Sequence, residues 1–184
     1  MHYVVHETTF TYDEPYLFWP DLDNALASDT TRNRLIAQVI TEAAHSGHNV
    51  MVLTKRREHL AHLRTLVAQG SQHALFELHG GQTAQQRQHV LEQLSYSHGF
   101  IVLAMAQVAG EGLDLPDIDA LVLAAPVAFK GNIIQNIGRV TRDATGTEGS
   151  AATIHDFNDS HVPALSAAFR KRARVIKKQG FNTP

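Results

Sequence analysis

The chain contains no cysteine. No disulfide framework, thiol nucleophile or cysteine zinc site can be built from it, and the composition fits a reducing cytoplasm, its expected location. No apolar run approaches the length that spans a bilayer, so no membrane contact is expected, and the first residues lack a signal-peptide pattern. Neither sign of charge dominates: 16 Lys and Arg face 18 Asp and Glu, a formal net charge of -2. The domain is therefore not a polycation, and any nucleic-acid contact must be a local groove. Two phosphate signatures are also missing. There is no GxxxxGK[ST] loop and no GxGxxG turn, and no strand-like run ends in an Asp-Glu pair that would hold magnesium. Histidine is frequent, at 12 residues, but scattered. His59 and His62 share a helical spacing without an acidic partner set or an HExxH pattern, so no metal site is expected.

What is present is a regular alternation. At 184 residues the chain is one domain, or one domain with an appendage. Residues 3–5 read as a short strand. Phe10, Tyr12, Tyr16, Phe18 and Trp19 follow among Asp, Glu and Pro, which reads as a loop-like strap whose aromatics pack on the domain; base stacking is the alternative. From Asp29, a capping residue together with Thr30, a helix carries Leu35, Ile36, Val39, Ile40 and Ala43 on one stripe, and Gly47 ends it. Residues 49–54 (NVMVLT) form a continuous run without polar alternation, the pattern of a strand buried on both faces, and 74–78, 99–104, 119–124 and 150–155 read as further strands. Helices fall between them. One carries Leu60, Leu63, Leu66 and Val67; one opens on a Thr83–Gln86 capping box; one spans about 132–141; the last starts near Pro163 and reaches about 179. This order predicts a three-layer α/β domain with a mainly parallel sheet. Ligands of such sheets gather at the carboxyl ends of the strands.

Four stretches follow strand ends (54–56, 79–81, the residues after Ala104 and the loop 126–131), and the residues suited to chemistry lie in or beyond them. Arg139 and Arg142 stand three apart in Gln135-Asn136-Ile137-Gly138-Arg139-Val140-Thr141-Arg142, so both guanidinium forks share one helix face and can converge on one anion. Gly110-Glu111-Gly112 and Asp114 follow the strand ending near Ala104. The glycines let backbone amides approach a phosphate or ribose, while a tight turn closed by an Asx interaction accounts for the same residues. The tail Arg170-Lys171-Arg172-Ala173-Arg174-Val175-Ile176-Lys177-Lys178 is the densest basic stretch. It suits a nucleic-acid groove, a neighbouring domain or a solvated helix face.

In order and spacing these residues resemble the second, C-terminal RecA-like domain of superfamily 2 helicases and translocases. Residues 50–54 with Lys55 and Arg56 look like motif IV. Leu78-His79-Gly80 with Arg87 is similar to motif IVa. Residues 101–116, centred on Glu111-Gly112-Leu113-Asp114-Leu115-Pro116, resemble motif V, and residues 135–142 resemble motif VI, QxxGRxxR. The likeness covers about 29–156. The stretch from His155-Asp156-Phe157 to Phe181 looks like the tail of DEAD/DEAH-box-like or restriction-subunit-type members. The resemblance implies a RecA-like fold of P-loop NTPase type without the P-loop itself. It divides the chain into a strap or linker from a preceding domain (1–28), the helicase C-terminal domain (29–160) and a basic C-terminal helix (161–184).

The resemblance also assigns roles. Arg142 and Arg139 would act as arginine fingers on the γ-phosphate of ATP, with Gln135 beside the phosphates or the catalytic water. Gly112, Asp114, Glu111 and Gly110 would lie near the nucleotide ribose or the domain interface. Thr54, Lys55, Arg56, His79, Gly80 and Gln107 would face the backbone of DNA or RNA. ATP and Mg²⁺ would be held mainly by an N-terminal RecA-like domain of the same parent chain. Two positions depart from the family: Ala106 stands where a Thr hydroxyl commonly meets a phosphate, leaving that contact to backbone N–H groups, and Gln107 stands where many members carry Asp. The expected activity is that of the C-terminal motor half of an ATP-dependent helicase, inactive in isolation. The alternatives are a non-catalytic helicase-like scaffold module and a small-molecule α/β enzyme using His79 and Asp114.

Overall fold

The computed structural model describes residues 1–14, 16–110, 115–127 and 152–183. Among them the element order is β1 (His2–Glu7), α1 (Trp19–Ser28), α2 (Thr30–His45), β2 (Val50–Thr54), α3 (Arg57–Gly70), β3 (Leu75–Leu78), α4 (Ala84–Ser95), β4 (Ile101–Met105), α5 (Ala106–Ala109), β5 (Ala120–Leu123), β6 (Thr153–Asn158) and α6 (Pro163–Lys178). The six strands form one sheet in the order β1-β6-β5-β2-β4-β3, with every pairing parallel. The expected α/β class and parallel sheet are thus observed.

The apolar runs are explained by burial on two sides. In β2, Val50 and Val52 pack with Ile36, Ile40, Leu60, Leu63 and Val67 of α2 and α3. Met51 and Leu53 point the other way, into a cluster that includes Leu94 of α4, Val108 of α5 and Ile176 of α6. Successive side chains of a strand face opposite layers, so a central strand needs apolar residues at every position. Each such side chain contributes roughly 1.5–3 kcal/mol on burial. Local signals close the helices. Asp29 accepts the Arg32 backbone N–H at 2.7 Å and caps α2. Both arms of the Thr83–Gln86 capping box are made, at 2.9 and 3.1 Å.

Residues 1–28 differ from the strap expected of them. β1 pairs with β6 over six residues, from His2 opposite Thr153 to Glu7 opposite Asn158, and is the edge strand of the sheet. Residues 19–28 form a helix, with Pro20 tolerated in its first turn. Leu22 and Leu26, one turn apart, bury against Phe10, Val162 and Leu165. The aromatics divide: Phe10 is core and Tyr12 packs on the same cluster, whereas Tyr16, Phe18 and Trp19 are exposed. β6 also runs further than expected, to Asn158, because its register follows β1. No helix of the described residues is long and apolar enough to cross a membrane.

Two buried arginines tie the β1–β6 edge together. Arg32 of α2 donates to both carboxylate oxygens of Asp159, at 2.8 and 3.2 Å, and to the Ala124 carbonyl at 2.7 Å, while Thr8 Oγ1 donates to Asp159 at 2.6 Å. Arg172 of α6 holds Asp156 in a bidentate contact from Nε and Nη2, and the Tyr3 hydroxyl donates to the same carboxylate at 2.9 Å. Burial, with the Asp156 charge beside it, raises the Tyr3 pKa and keeps the phenol protonated.

Candidate nucleic-acid interface

All six strands run the same way, so their carboxyl ends share one rim. β2 ends in Thr54, which is fully buried and whose hydroxyl has no hydrogen-bond partner. The next two residues turn outward and are fixed by α1. Lys55 Nζ lies 2.6 Å from the Asp23 carboxylate, and Arg56 Nη2 donates to the Pro20 carbonyl at 2.8 Å. Arg57 then opens α3. Its guanidinium lies over Gly81, close enough that a Cβ at residue 81 would sit 2.8 Å from Nη1. A side chain there would push the flexible end of Arg57 aside, so the glycine lets the guanidinium rest over the turn.

The turn after β3 is built as a rigid unit. Gln82 accepts from the His79 backbone N–H at 3.0 Å and donates to the Glu77 carbonyl at 3.0 Å. The Gly81 N–H donates to His79 Nδ1 at 3.2 Å. Gly80 stands open beside them, with nothing within 4 Å of its missing Cβ. Lys55, Arg56, Arg57 and the His79–Gly80 turn therefore form one continuous cationic and amide-bearing stretch. Such a stretch meets phosphate oxygens without reading bases, by charge and hydrogen bonding to the backbone.

The remaining expected residues fall in three groups. Gln107 is exposed on α5, a single helical turn where a loop was expected, and Gly110 closes that turn by donating to Ala106 O at 3.1 Å. Thr54 does not reach the surface, so the nucleic-acid contact expected of it is not available in this conformation. Glu111, Gly112, Asp114, Gln135, Arg139 and Arg142 lie outside the described residues, as does the helix expected over 132–141.

Sequence reasoning missed Arg57 and Arg32, and it counted Arg172 with the basic tail although that residue is buried on Asp156. Arg57 carries no motif signal. The other two could have been found: Arg32 sits four residues before Ile36, and Arg172 four before Ile176, so each is a cation on an apolar stripe and needs a buried carboxylate. Three histidines also prove to be structural. His59 bonds Asn33 at 2.9 Å, and burial followed by the Arg32 charge pushes its pKa down to about 3. His6 stacks on His155 with ring nitrogens 3.1 Å apart; burial lowers both, His155 to about 4 with the neighbouring His6 charge adding to the effect.

Residues 31–144 match the family described as the helicase conserved C-terminal domain. Among curated proteins, the chain is 27% identical over 164 residues to transcript termination protein A18 of fowlpox virus (strain NVSL), covering 86% of the chain and 35% of that protein. It is 28% identical over 147 residues to A18 of vaccinia virus (strain Ankara), covering 78% and 29%. The chain thus spans about a third of these relatives. Among solved structures it superposes on T4 UvsW with a TM-score of 0.70 at 20% identity, over 99% of the chain and 39% of the other. The C-terminal part of the Fun30 ATPase domain gives 0.61 at 10% identity, over 78% and 46%. Both likenesses concern the fold, which is RecA-like.

Proposed function

Because this chain belongs to the helicase conserved C-terminal domain family, we propose that it is the C-terminal motor half of an ATP-dependent nucleic-acid helicase or translocase. The observation that carries this reading is the carboxyl rim, where Lys55 and Arg56, held by Asp23 and the Pro20 carbonyl, stand beside Arg57 and the His79 turn in one cationic stretch within the family's matched span. The poxvirus relatives are named for transcript termination, an activity exercised on nucleic acid, which supports that substrate class.

ATP fits this chain only in part. The rim offers cations and amides for phosphates, but among the described residues no group of three His, Asp or Glu is placed to hold a cation. By the family resemblance, the triphosphate and Mg²⁺ would be held mainly by an N-terminal RecA-like domain of the same parent chain. Arg142 and Arg139 would face the γ-phosphate across the cleft, with Gln135 orienting the attacking water. Gly110, Glu111, Gly112 and Asp114 would border the ribose. Bound ATP supplies the phosphoryl group whose developing charge an arginine from a second domain stabilises, worth roughly 10³–10⁵ in rate in well-studied systems. Hydrolysis then depends on closure, and closure moves the two halves relative to the strand.

The test is ATP hydrolysis by the 184-residue chain alone, with and without nucleic acid. The expected outcome is background turnover in both. Robust hydrolysis by the isolated chain would refute the half-motor reading.

A further inference from the structure

The basic face of α6 belongs to neither the rim nor the core. α6 has 16 residues, none of them acidic, and carries six of the chain's sixteen Lys and Arg. One of the six, Arg172, is buried against Asp156. The other five, Arg170, Lys171, Arg174, Lys177 and Lys178, are exposed. At 3.6 residues per turn they fall within an arc of about 120°, opposite the stripe of Leu165, Phe169, Arg172 and Ile176 that faces the sheet. Among the described residues none of the five meets a carboxylate; Arg170 bonds only the Ser166 hydroxyl, at 2.9 Å.

This arrangement costs stability when nothing binds it. Arg174 has Arg170 and Lys178 four residues away and Lys171 and Lys177 three away, and like charges at these spacings repel. The helix macrodipole favours Lys177 and Lys178 in the last turn, but it does not reach Arg170, Lys171 or Arg174. The face is also remote from the rim. α6 leaves the carboxyl end of β6 and finishes at the opposite end of the sheet, where the Tyr3 N–H donates to the Asn182 carbonyl at 2.8 Å.

We propose that this face is a second, sequence-independent site for the phosphate backbone of double-stranded nucleic acid. Residues 170–178 cover about 12 Å of helix. One duplex strand presents a phosphate every 3.4 Å or so, so the face spans about three phosphates. No aromatic side chain lies on it, since Phe169 packs against the core, so the stacking platform that single strands use is missing. The charge is segregated as well: the rest of the chain is net acidic, which orients an incoming polyanion toward α6. The site stands independently of the half-motor reading, since it needs no nucleotide and no second domain.

The test uses the 184-residue chain and a labelled 20-base-pair duplex, followed by fluorescence anisotropy across a salt series. Lys171→Gln, Arg174→Gln and Lys178→Gln combined should weaken binding at least about tenfold at low salt and lower the slope of log K against log salt by about 2–3, near 0.9 per phosphate lost. Arg34→Gln with Arg64→Gln, on α2 and α3, should change affinity less than about twofold. Arg174→Gln alone should raise the melting temperature while weakening the duplex complex, a combination that a purely structural helix face would not give. Unchanged affinity and slope in the triple variant would overturn the proposal. So would loss of binding only to a single strand of equal length, or only to phosphatidylserine vesicles, with the duplex unaffected.

Discussion

The cations at the carboxyl rim and those on α6 have the same chemistry and opposite surroundings. Lys55 is held by Asp23, Arg56 by a backbone carbonyl, and Arg57 over a glycine that leaves it room. The five outer residues of α6 are held by no carboxylate among the described residues. A tethered cation has a fixed direction and loses little entropy on meeting a phosphate, so it suits positioning. An untethered one keeps its rotamers and acts mainly through field and counterion release. Within α6 the contrast narrows to two residues: Arg172 is locked in the core, and Arg174 faces solvent.

That pair gives the largest expected effect. Arg172→Leu leaves Asp156 buried without its counter-charge, with only the Tyr3 hydroxyl and the Phe157 backbone N–H as partners, and should cost about 3–5 kcal/mol in denaturant unfolding. Arg174→Leu should stay within about 0.5 kcal/mol of the parent. Equal losses would erase the distinction between the two faces of the helix.

Acid should weaken the β1–β6 edge and the α2–α3 layer before it affects any exposed cation. His59 and His155 are neutral in the fold, with pKa values pushed down to about 3 and about 4, and both take up protons near 6.5 once unfolded. Their contribution is intact above 6.5 and is lost as pH falls from 6.5 toward those values. The slope is at most about 1.4 kcal/mol per pH unit for each. His155→Gln should flatten it by about one proton, measured as Tm against pH. A stability that rises on acidification over this window would contradict the burial argument.

A smaller effect is expected where the rim meets the core. Thr54→Val replaces an unpartnered buried hydroxyl with a methyl and should stabilise the domain by about 1 kcal/mol. Lys55→Ala breaks an exposed pair and should cost less than about 1 kcal/mol, while weakening nucleic-acid binding. The chain's single tryptophan, Trp19, neighbours Pro20, the residue that anchors Arg56. Its emission should respond to nucleic acid at the rim and be indifferent to charge removal on α6. Quenching abolished by the α6 triple variant would merge the two sites into one.

The layered fold was legible because its signals are local. A doubly buried strand such as β2 must be apolar throughout, and a capping box needs only residues 83–86. α1 was hidden because Pro20, Asp21 and Asp23 read as loop, although Leu22 and Leu26 already carried a helical spacing. β1 gave no hint of its partner, which lies about 150 residues away, and single-chain periodicity cannot report register. At the candidate interface the charges were visible while their tethers were not: Lys55 and Arg56 could be named, but that α1 fixes them depends on tertiary contact. Arg57 over Gly81 arises the same way, from the start of α3 meeting the turn after β3.

The half-motor reading is tested most directly in the parent polypeptide that carries both domains, by comparing Arg142→Ala with the unmodified protein. Nucleic-acid-stimulated ATP hydrolysis should fall by about 10³ or more while nucleotide affinity stays within a few-fold. Turnover left intact, or affinity lost with the chemical step unchanged, would contradict it.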